Sequence, residues 1–489
     1  MTMSDEFAIE EGITLEPHYH PELKSESKSK EPASMVLEIQ TPMGPVTIDM
    51  KQFEDAKIAV AATRKKTPQL PLAEQLLKNF IGHKHNRDSR YWTGKLGVLM
   101  KMHFDQYLEE EYTITDEFMI EQGKIRAAMY DTAEVQNEVR QRFLAIGSRY
   151  YQSKTEPEHK FVIISSIDHD GDQRLSVYTP ADTTVLVHGK DAGQLIGNIE
   201  SDFYQYGSLK GAFFDLRYNF ITRDKGIDEL IAWDEKVKET LWNDIIGFQK
   251  AMPKLRECGV PNSRGVILAG PPGTGKTMMA KWLAAHSDIT CILISAEMIT
   301  GRNDIKSCFK LARKLSPTLI IIEDIDTAGA LDRRASDHPL LGEFLQSMDG
   351  IVPNHGVITL ATTNHSNKID PAIADRPGRF DRIIEVGLPG KEQRFHIFHH
   401  LLLKLDLSRN VTLEVKEKLA KSTEGLTGAW IRAVVQDSFI LALSQGKTKI
   451  GKDHLFASLK DVMERRGMAY RVATYTPPQM AAKADVYVQ

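Results

Sequence analysis

Hydrophobic and polar positions recur with several different periods along this chain, and the changes of period divide it. Residues 1–35, including "HPELKSESKSKEPAS", are polar, charged and poor in apolar side chains. Such a segment buries too little surface to offset its ordering entropy, so a disordered tail is predicted there. From Val36, "VLEIQTPMGPVTIDM" reads as two short strands about a Pro-Met-Gly turn. A mainly helical stretch is expected next. Its clearest helix starts near Thr132, with Val135, Val139, Phe143 and Ile146 on one face. Three strand-like runs follow, "KFVIISSI", "RLSVY" and "TTVLVHG", so residues 36–235 read as a mixed α/β region. Strands alternating with helices begin near Asp244 and continue to about Pro389, the pattern of a parallel sheet covered by helices. This predicts a large α/β domain over residues 236–390. The chain then reads as mostly helical over 391–469, and residues 470–489, with Pro477 and Pro478, are expected to form an extended tail.

Composition narrows the classes without choosing among them. A length of 489 residues predicts two to four domains. The formal net charge of -4 makes no global case for a nucleic-acid binder. Cys258, Cys291 and Cys308 form neither a disulfide framework nor a metal-type pair, which fits a reducing, cytoplasmic setting. The start "MTMSDEFAIEEG" has no basic region followed by an apolar one, so no signal peptide is expected. No run approaches the roughly 20 apolar residues of a membrane helix, and a soluble protein with no membrane partner is predicted.

Chemistry enters at "RGVILAGPPGTGKTMMAKWLAAH". Val266–Ala269 reads as a buried strand, Gly270–Thr277 matches G-x-x-x-x-G-K-[ST], and Met278–Ala285 continues as a helix. Gly273 and Gly275 let backbone N–H groups wrap phosphates without Cβ clashes, and the helix N-terminus adds partial positive charge. Lys276 should reach the β- and γ-phosphates and Thr277 should hold Mg²⁺ through its hydroxyl. Pro272, Thr274 and Met278 complete the expected contact set of a bound nucleotide. About fifty residues on, "SPTLIIIEDIDTAG" reads as a central parallel strand whose C-terminal end meets the ligand crevice. Mg²⁺ prefers oxygen ligands, so an acid is expected there, and a second acid is needed to orient the attacking water.

With these motifs in place, residues 240–470 resemble the AAA family of ring-forming ATPases. The resemblance implies an α/β P-loop NTPase domain, its parallel sheet covered by helices on both faces. A small helical lid domain follows it, and the mixed α/β N-terminal region precedes it. "NDIIG" resembles the segment along the adenine, which would bring Asp244 and Gly247 to ATP. "GEFLQSMDG" resembles the helix and turn after the carboxylate strand. "GVITLATTN" resembles the next strand, with Asn364 in the sensor position near the γ-phosphate. "DPAIADRPGRFDRIIEVGLP" resembles the family's second homology region, in which Arg376 and Arg379 would reach a neighbouring subunit's ATP. "TEGLTGAWIRAVV" resembles the lid segment, where Gly428 and Ala429 face the nucleotide. The resemblance therefore implies ATP hydrolysis with Mg²⁺ in a homo-oligomeric ring, most often of six subunits, that remodels a protein client. Two alternatives stand beside it: a nucleotide-gated binding module with slow hydrolysis, and a nucleic-acid motor or loader.

Three departures bear on mechanism. The acids come as Glu323 then Asp324, where most of the family has Asp then Glu. Asp326 fixes the register, so Glu323 takes the Mg²⁺ side and Asp324 the catalytic role. The AAA chaperones that assemble mitochondrial respiratory complex III share this order; without their membrane helix, this chain is expected to be at most a soluble relative. "MITG", Met298–Gly301, has no aromatic where protein-threading members grip a polypeptide. Trp430 stands where the lid motif usually has an acid, and is expected to pack. Three other signals are discounted. "DHDGD" has its glycine too early for a calcium loop and reads as a hairpin turn. "KNFIGHKHNRDSRYWTGK" mixes basic and aromatic residues as a single-strand binding surface would, but a solvated face is the commoner explanation. "HIFHH" spaces three histidines for zinc without a further ligand nearby.

Overall fold

The computed structural model describes residues 36–41, 44–49, 71–136, 139–182, 191–226, 232–295, 298–299, 302–325, 346–348, 353–364, 380–404 and 411–474. The chain divides into two compact units, Met1–Pro71 and Leu72–Gln489. The first contains an antiparallel hairpin of β1 (Val36–Thr41) and β2 (Gly44–Asp49), in register from Val36 opposite Asp49 to Thr41 opposite Gly44.

The second unit begins with α1 (Leu72–Ile81), β3 (His85–Trp92), α2 (Gly94–Glu109), β4 (Tyr112–Glu121), β5 (Lys124–Arg126), β6 (Met129–Glu134), β7 (Arg140–Ser153), β8 (Lys160–Ile167), β9 (Gln173–Pro180) and α3 (Ala192–Tyr206). The strands make one antiparallel sheet in the order β3-β9-β8-β7-β4-β5, with β6 also paired to β7. "KFVIISSI" and "RLSVY" are β8 and β9. "DHDGD" is the turn between them: the Asp168 carboxylate accepts the N–H groups of Asp170 (3.1 Å) and Asp172 (2.8 Å). "TTVLVHG" lies outside the described residues. The stretch expected to be mainly helical contains α1 and α2 but also β3 to β6. The helix expected from Thr132 is instead the hairpin of β6 and β7, closed where Val135 N–H donates to Val139 O (2.8 Å). Both faces of β7 are covered, so successive residues from Phe143 to Tyr151 are apolar or buried and the two-residue period disappears. Of the four apolar residues at helical spacing, Phe143 and Ile146 lie in β7, whereas Val135 and Val139 lie in the hairpin connection and Val139 is exposed.

Beneath this sheet lies Lys101 of α2, only 2% exposed. Its Nζ donates to Ala145 O (3.1 Å), Ser166 O (3.1 Å) and Gln173 Oε1 (2.7 Å). Burial pulls its pKa from 10.5 down to about 8, with Asp105 opposing. The folded pKa therefore lies below the unfolded one. Between those two values the unfolded chain binds more protons, so this group adds stability as pH rises through about 8 and does so until about 10.4. Comparison of denaturant midpoints should show wild type gaining on Lys101→Met over that window. A difference independent of pH would mean that the amine is hydrated in the folded state.

The chain then crosses to a second sheet. Its elements are β10 (Phe213–Asp215), α4 (Glu235–Leu241), a π-helical turn (Trp242–Gly247), α5 (Phe248–Glu257), β11 (Arg264–Ala269), α6 (Lys276–His286), β12 (Thr290–Ser295), α7 (Arg302–Lys314), β13 (Thr318–Glu323), β14 (Val357–Thr363) and β15 (Arg382–Glu385). All six strands are parallel, in the order β10-β12-β13-β14-β11-β15. The central strands β11, β13 and β14 are buried except at Arg264 and Glu323, as the apolar runs of a helix-covered parallel sheet require. β10 corrects the boundary expected at residue 235, because Phe213–Asp215 already belongs to this sheet. A three-residue strand is too short to show a period. Arg223 holds the segment in place by donating to the carbonyls of Gly211 (3.1 Å), Ile289 (2.6 Å), Ala284 and Ser287. One apolar core joins the two sheets, with Phe161 and Phe203 on one side and Ile292 and Ile320 on the other.

Four helices follow: α8 (Lys391–Lys404), α9 (Leu413–Ser422), α10 (Gly428–Ser444) and α11 (Lys452–Thr474). They enclose a separate core around Phe398, Leu402, Ile431 and Leu455. Helix α11 runs past residue 470, where the extended tail was expected to begin.

Candidate active site

Strand β11 ends at Ala269 and α6 starts at Lys276, and the glycine-rich loop turns between them. Gly273 and Gly275 hold φ of +80° and +100°, a conformation that side chains disfavour. Space is short there as well. A Cβ on Gly273 would come within 2.9 Å of Ala429 Cβ, and one on Gly275 within 3.0 Å of Trp233 Nε1. The first contact links the loop to α10, and Ala429 N–H donates to Gly273 O (3.2 Å).

Lys276 is buried, and its Nζ donates to Gly270 O (2.8 Å), Pro271 O (3.0 Å) and Asn364 Oδ1 (2.8 Å). Asn364 Nδ2 in turn donates to Asp324 Oδ1 (3.1 Å). One chain of hydrogen bonds thus runs from the loop lysine through β14 to the acid after β13. Asp324 has φ of +49°, and its N–H donates to Thr362 Oγ1 (2.9 Å). Aspartate and asparagine tolerate that left-handed conformation better than other residues with a side chain. The backbone therefore favours Asp over Glu at this position.

Glu323 closes β13 opposite Ser295 of β12. The Thr277 hydroxyl hydrogen-bonds its carboxylate, while Oε1 is buried without a hydrogen-bond partner among the described residues. Burial pushes the carboxyl above its usual pKa; Lys281 and the Thr277 bond oppose this, and Asp324 adds to it. A half-buried, partly unsatisfied carboxylate beside a threonine hydroxyl is a donor set that suits a hard divalent cation.

A cleft of about 1060 Å³ opens beside the loop. Gly273, Thr274, Gly275, Lys276, Thr277 and Met278 line it, as do Gly428 and Ala429 from α10. Residues 266–388 match the family model for the "ATPase family associated with various cellular activities (AAA)". The chain carries an AAA domain.

Relatives agree. The proteasome-activating nucleotidase of Methanopyrus kandleri is 34% identical over 256 residues, 50% of this chain and 57% of the relative. That of Saccharolobus solfataricus is 34% identical over 251 residues, 49% of this chain and 62% of the relative. An ATP-dependent zinc metalloprotease, FtsH 2 of a Thermoanaerobacter species, is 33% identical over 247 residues, 49% of this chain and 46% of the relative. The chain thus matches about half of each relative's length.

Around the cleft, the structure gathers most of the expected residues and separates others. Pro272 is exposed and does not line the cleft. Asp244 and Gly247 do not line it either, contrary to the adenine-side expectation. The Asp244 carboxylate is buried in the π-helical turn and pairs with Arg264 and Arg382 (3.6 Å). It is a structural ion pair. The corresponding wall of the cleft is Ala232, Trp233 and Val237, about ten residues earlier. The Ile-Gly pair of "NDIIG" drew the assignment, whereas a Trp before a helix cap has no motif to mark it. Lys281, His400 and Arg432 also line the cleft, and no sequence motif marks them. Arg376, Arg379 and Asp326 lie outside the described residues, as does most of "GEFLQSMDG". Of "MITG", Met298 and Ile299 are half-buried, and Ile299 packs on the shared core. Trp430 packs against the core of the four C-terminal helices. His399 Nδ1 lies 3.1 Å from Lys416 Nζ, and among the described residues no group of three or more ligand-type side chains could hold a metal.

Proposed function

We propose that this chain is an AAA ATPase that hydrolyses ATP in a homo-oligomeric ring, most simply a hexamer, and uses the cycle to remodel a protein client. The observation that carries the reading is the hydrogen-bonded series Lys276–Asn364–Asp324, which starts from a lysine that lines the cleft. Lys276 exchanges its carbonyl partners for β- and γ-phosphate oxygens. Asp324 orients the attacking water and receives its proton, and Asn364 holds both that carboxylate and the γ-phosphate end. Thr277 and Glu323 would hold Mg²⁺, which neutralises charge on the phosphates when bound. Arg376 and Arg379 act on the ATP of the adjacent subunit, so full activity needs the ring. Gly428 and Ala429 bring the helical lid against the nucleotide. Residues 36–235 bind the client. Among the described residues no helix is long and apolar enough to cross a membrane, and we place the ring in the cytoplasm.

The test is phosphate release by the full chain with ATP and Mg²⁺. Wild type should turn over at about 1 s⁻¹ or faster, the low end of ordinary enzymes. Lys276→Ala, or a chelator in place of Mg²⁺, should reduce release to background. Turnover that survives both would refute the assignment. A second reading, a nucleotide-gated switch, is favoured by the engagement of Asp324 with Asn364. It would be selected by tight ATP binding with turnover far below that range.

A further inference from the structure

The lining of the cleft is chemically mixed. The glycine-rich loop contributes backbone N–H groups and Lys276, and apolar Val237, Leu388, Ile397 and Leu401 line it together with charged Lys391, Glu392 and Arg432. Trp233 is also part of this lining. Its Nε1 edge lies over Gly275, 3.0 Å from the position a Cβ there would take, so the glycine leaves the room that the indole fills. Trp233 Nε1 has no hydrogen bond among the described residues.

The ring is also held in place before any ligand arrives. Trp233 packs edge-to-face on Trp282, with centroids 5.8 Å apart and planes at 80°. Trp282 is 2% exposed and is itself wedged between Trp242 (5.5 Å) and His286 (5.2 Å). Just after Trp233, the Asp234 carboxylate caps α4 by accepting Lys236 N–H (2.9 Å). A rigid aromatic with one free donor loses little freedom when it binds, which is what preorganised recognition requires.

We propose that Trp233 is the residue that recognises the nucleoside half of a nucleoside triphosphate. Its ring walls the base and ribose, and its N–H donates to a ribose oxygen. This rests on the nucleotide reading of the cleft given above, and it adds a role that the phosphate loop cannot perform. Bare triphosphate carries everything the loop reads and nothing that Trp233 reads.

The experiment is calorimetric titration of the full chain, with Mg²⁺, against a non-hydrolysable ATP analogue and against inorganic tripolyphosphate. Base stacking on an aromatic is worth about 5- to 150-fold in affinity by alanine substitution. Trp233→Ala should therefore weaken the analogue by at least about tenfold and leave tripolyphosphate within about twofold. Trp233→Phe keeps a ring against Trp282 and removes only the donor, so its loss for the analogue should be smaller but measurable. Equal losses for both ligands, or no loss in either variant, would overturn the proposal and leave Trp233 a packing residue. If wild type binds tripolyphosphate and the analogue equally well, the phosphate loop stands and the role of Trp233 falls. If wild type binds neither, the nucleotide reading itself fails.

Discussion

Asp324→Asn should lower ATP turnover by about 10²–10⁴-fold, the usual contribution of a positioned acid or base, while nucleotide stays bound. The substitution keeps the size of the side chain and its tolerance of a φ of +49°. The new amide oxygen can still accept from Asn364 Nδ2, so the series from Lys276 remains intact. What disappears is the basicity that takes a proton from water. The loss should therefore appear in kcat, with nucleotide affinity changed little. Glu323→Gln should behave differently. It removes charge beside Thr277, where we place Mg²⁺, so its defect should shift with Mg²⁺ concentration. If Asp324→Asn turned over like wild type and Glu323→Gln did not, the two roles would have to be exchanged.

The second large effect lies far from the cleft. Arg149→Ala should destabilise the antiparallel sheet by about 3 kcal/mol, the lower end of the range for breaking a buried ion pair by removing one partner. Arg149 is 7% exposed and ties four elements together. Its Nε donates to Glu117 of β4 (2.6 Å), its Nη1 to Asp105 of α2, and its Nη2 to the Tyr130 hydroxyl of β6 (3.0 Å). Tyr130 also donates to Glu117. Alanine leaves two carboxylates near one another with no cation between them. Burial already raises the Asp105 pKa, and Arg149 is the largest influence holding it down. The variant should therefore recover part of its loss at acidic pH, as Asp105 takes up a proton more readily than in wild type. Denaturant unfolding followed by circular dichroism would measure both effects. A loss below about 1 kcal/mol would mean that the cluster behaves as a solvated surface pair.

How much of this was legible in the residues alone depends on distance along the chain. The glycine-rich loop was legible because its strand, turn and helix are contiguous and because φ near +80° and +100° calls for glycine locally. The apolar run before Glu323 was legible because a strand buried on both faces has no polar side. The helical character after Lys391 followed from spacing within single helices. Long-range packing decided the rest. Residues from Thr132 to Ile146 fit a helical period, but α2 packs on one face of β7 and α1 meets Tyr150 on the other, while β4 and β8 flank it as a central strand. Phe213–Asp215 became the edge of the AAA sheet only because β12 offers it a partner. The Asp244 carboxylate is paired with Arg264 and Arg382, twenty residues and more away, which no local pattern shows. Trp233 had no motif and became a wall of the cleft because Trp282 and Gly275 shape its place. The sequence by itself determined where the glycine-rich loop turns and which acids stand at the strand end, since those are local backbone and charge requirements. Only the tertiary structure decided which other side chains wall the cleft, because that depends on which distant side chains leave room and which fill it.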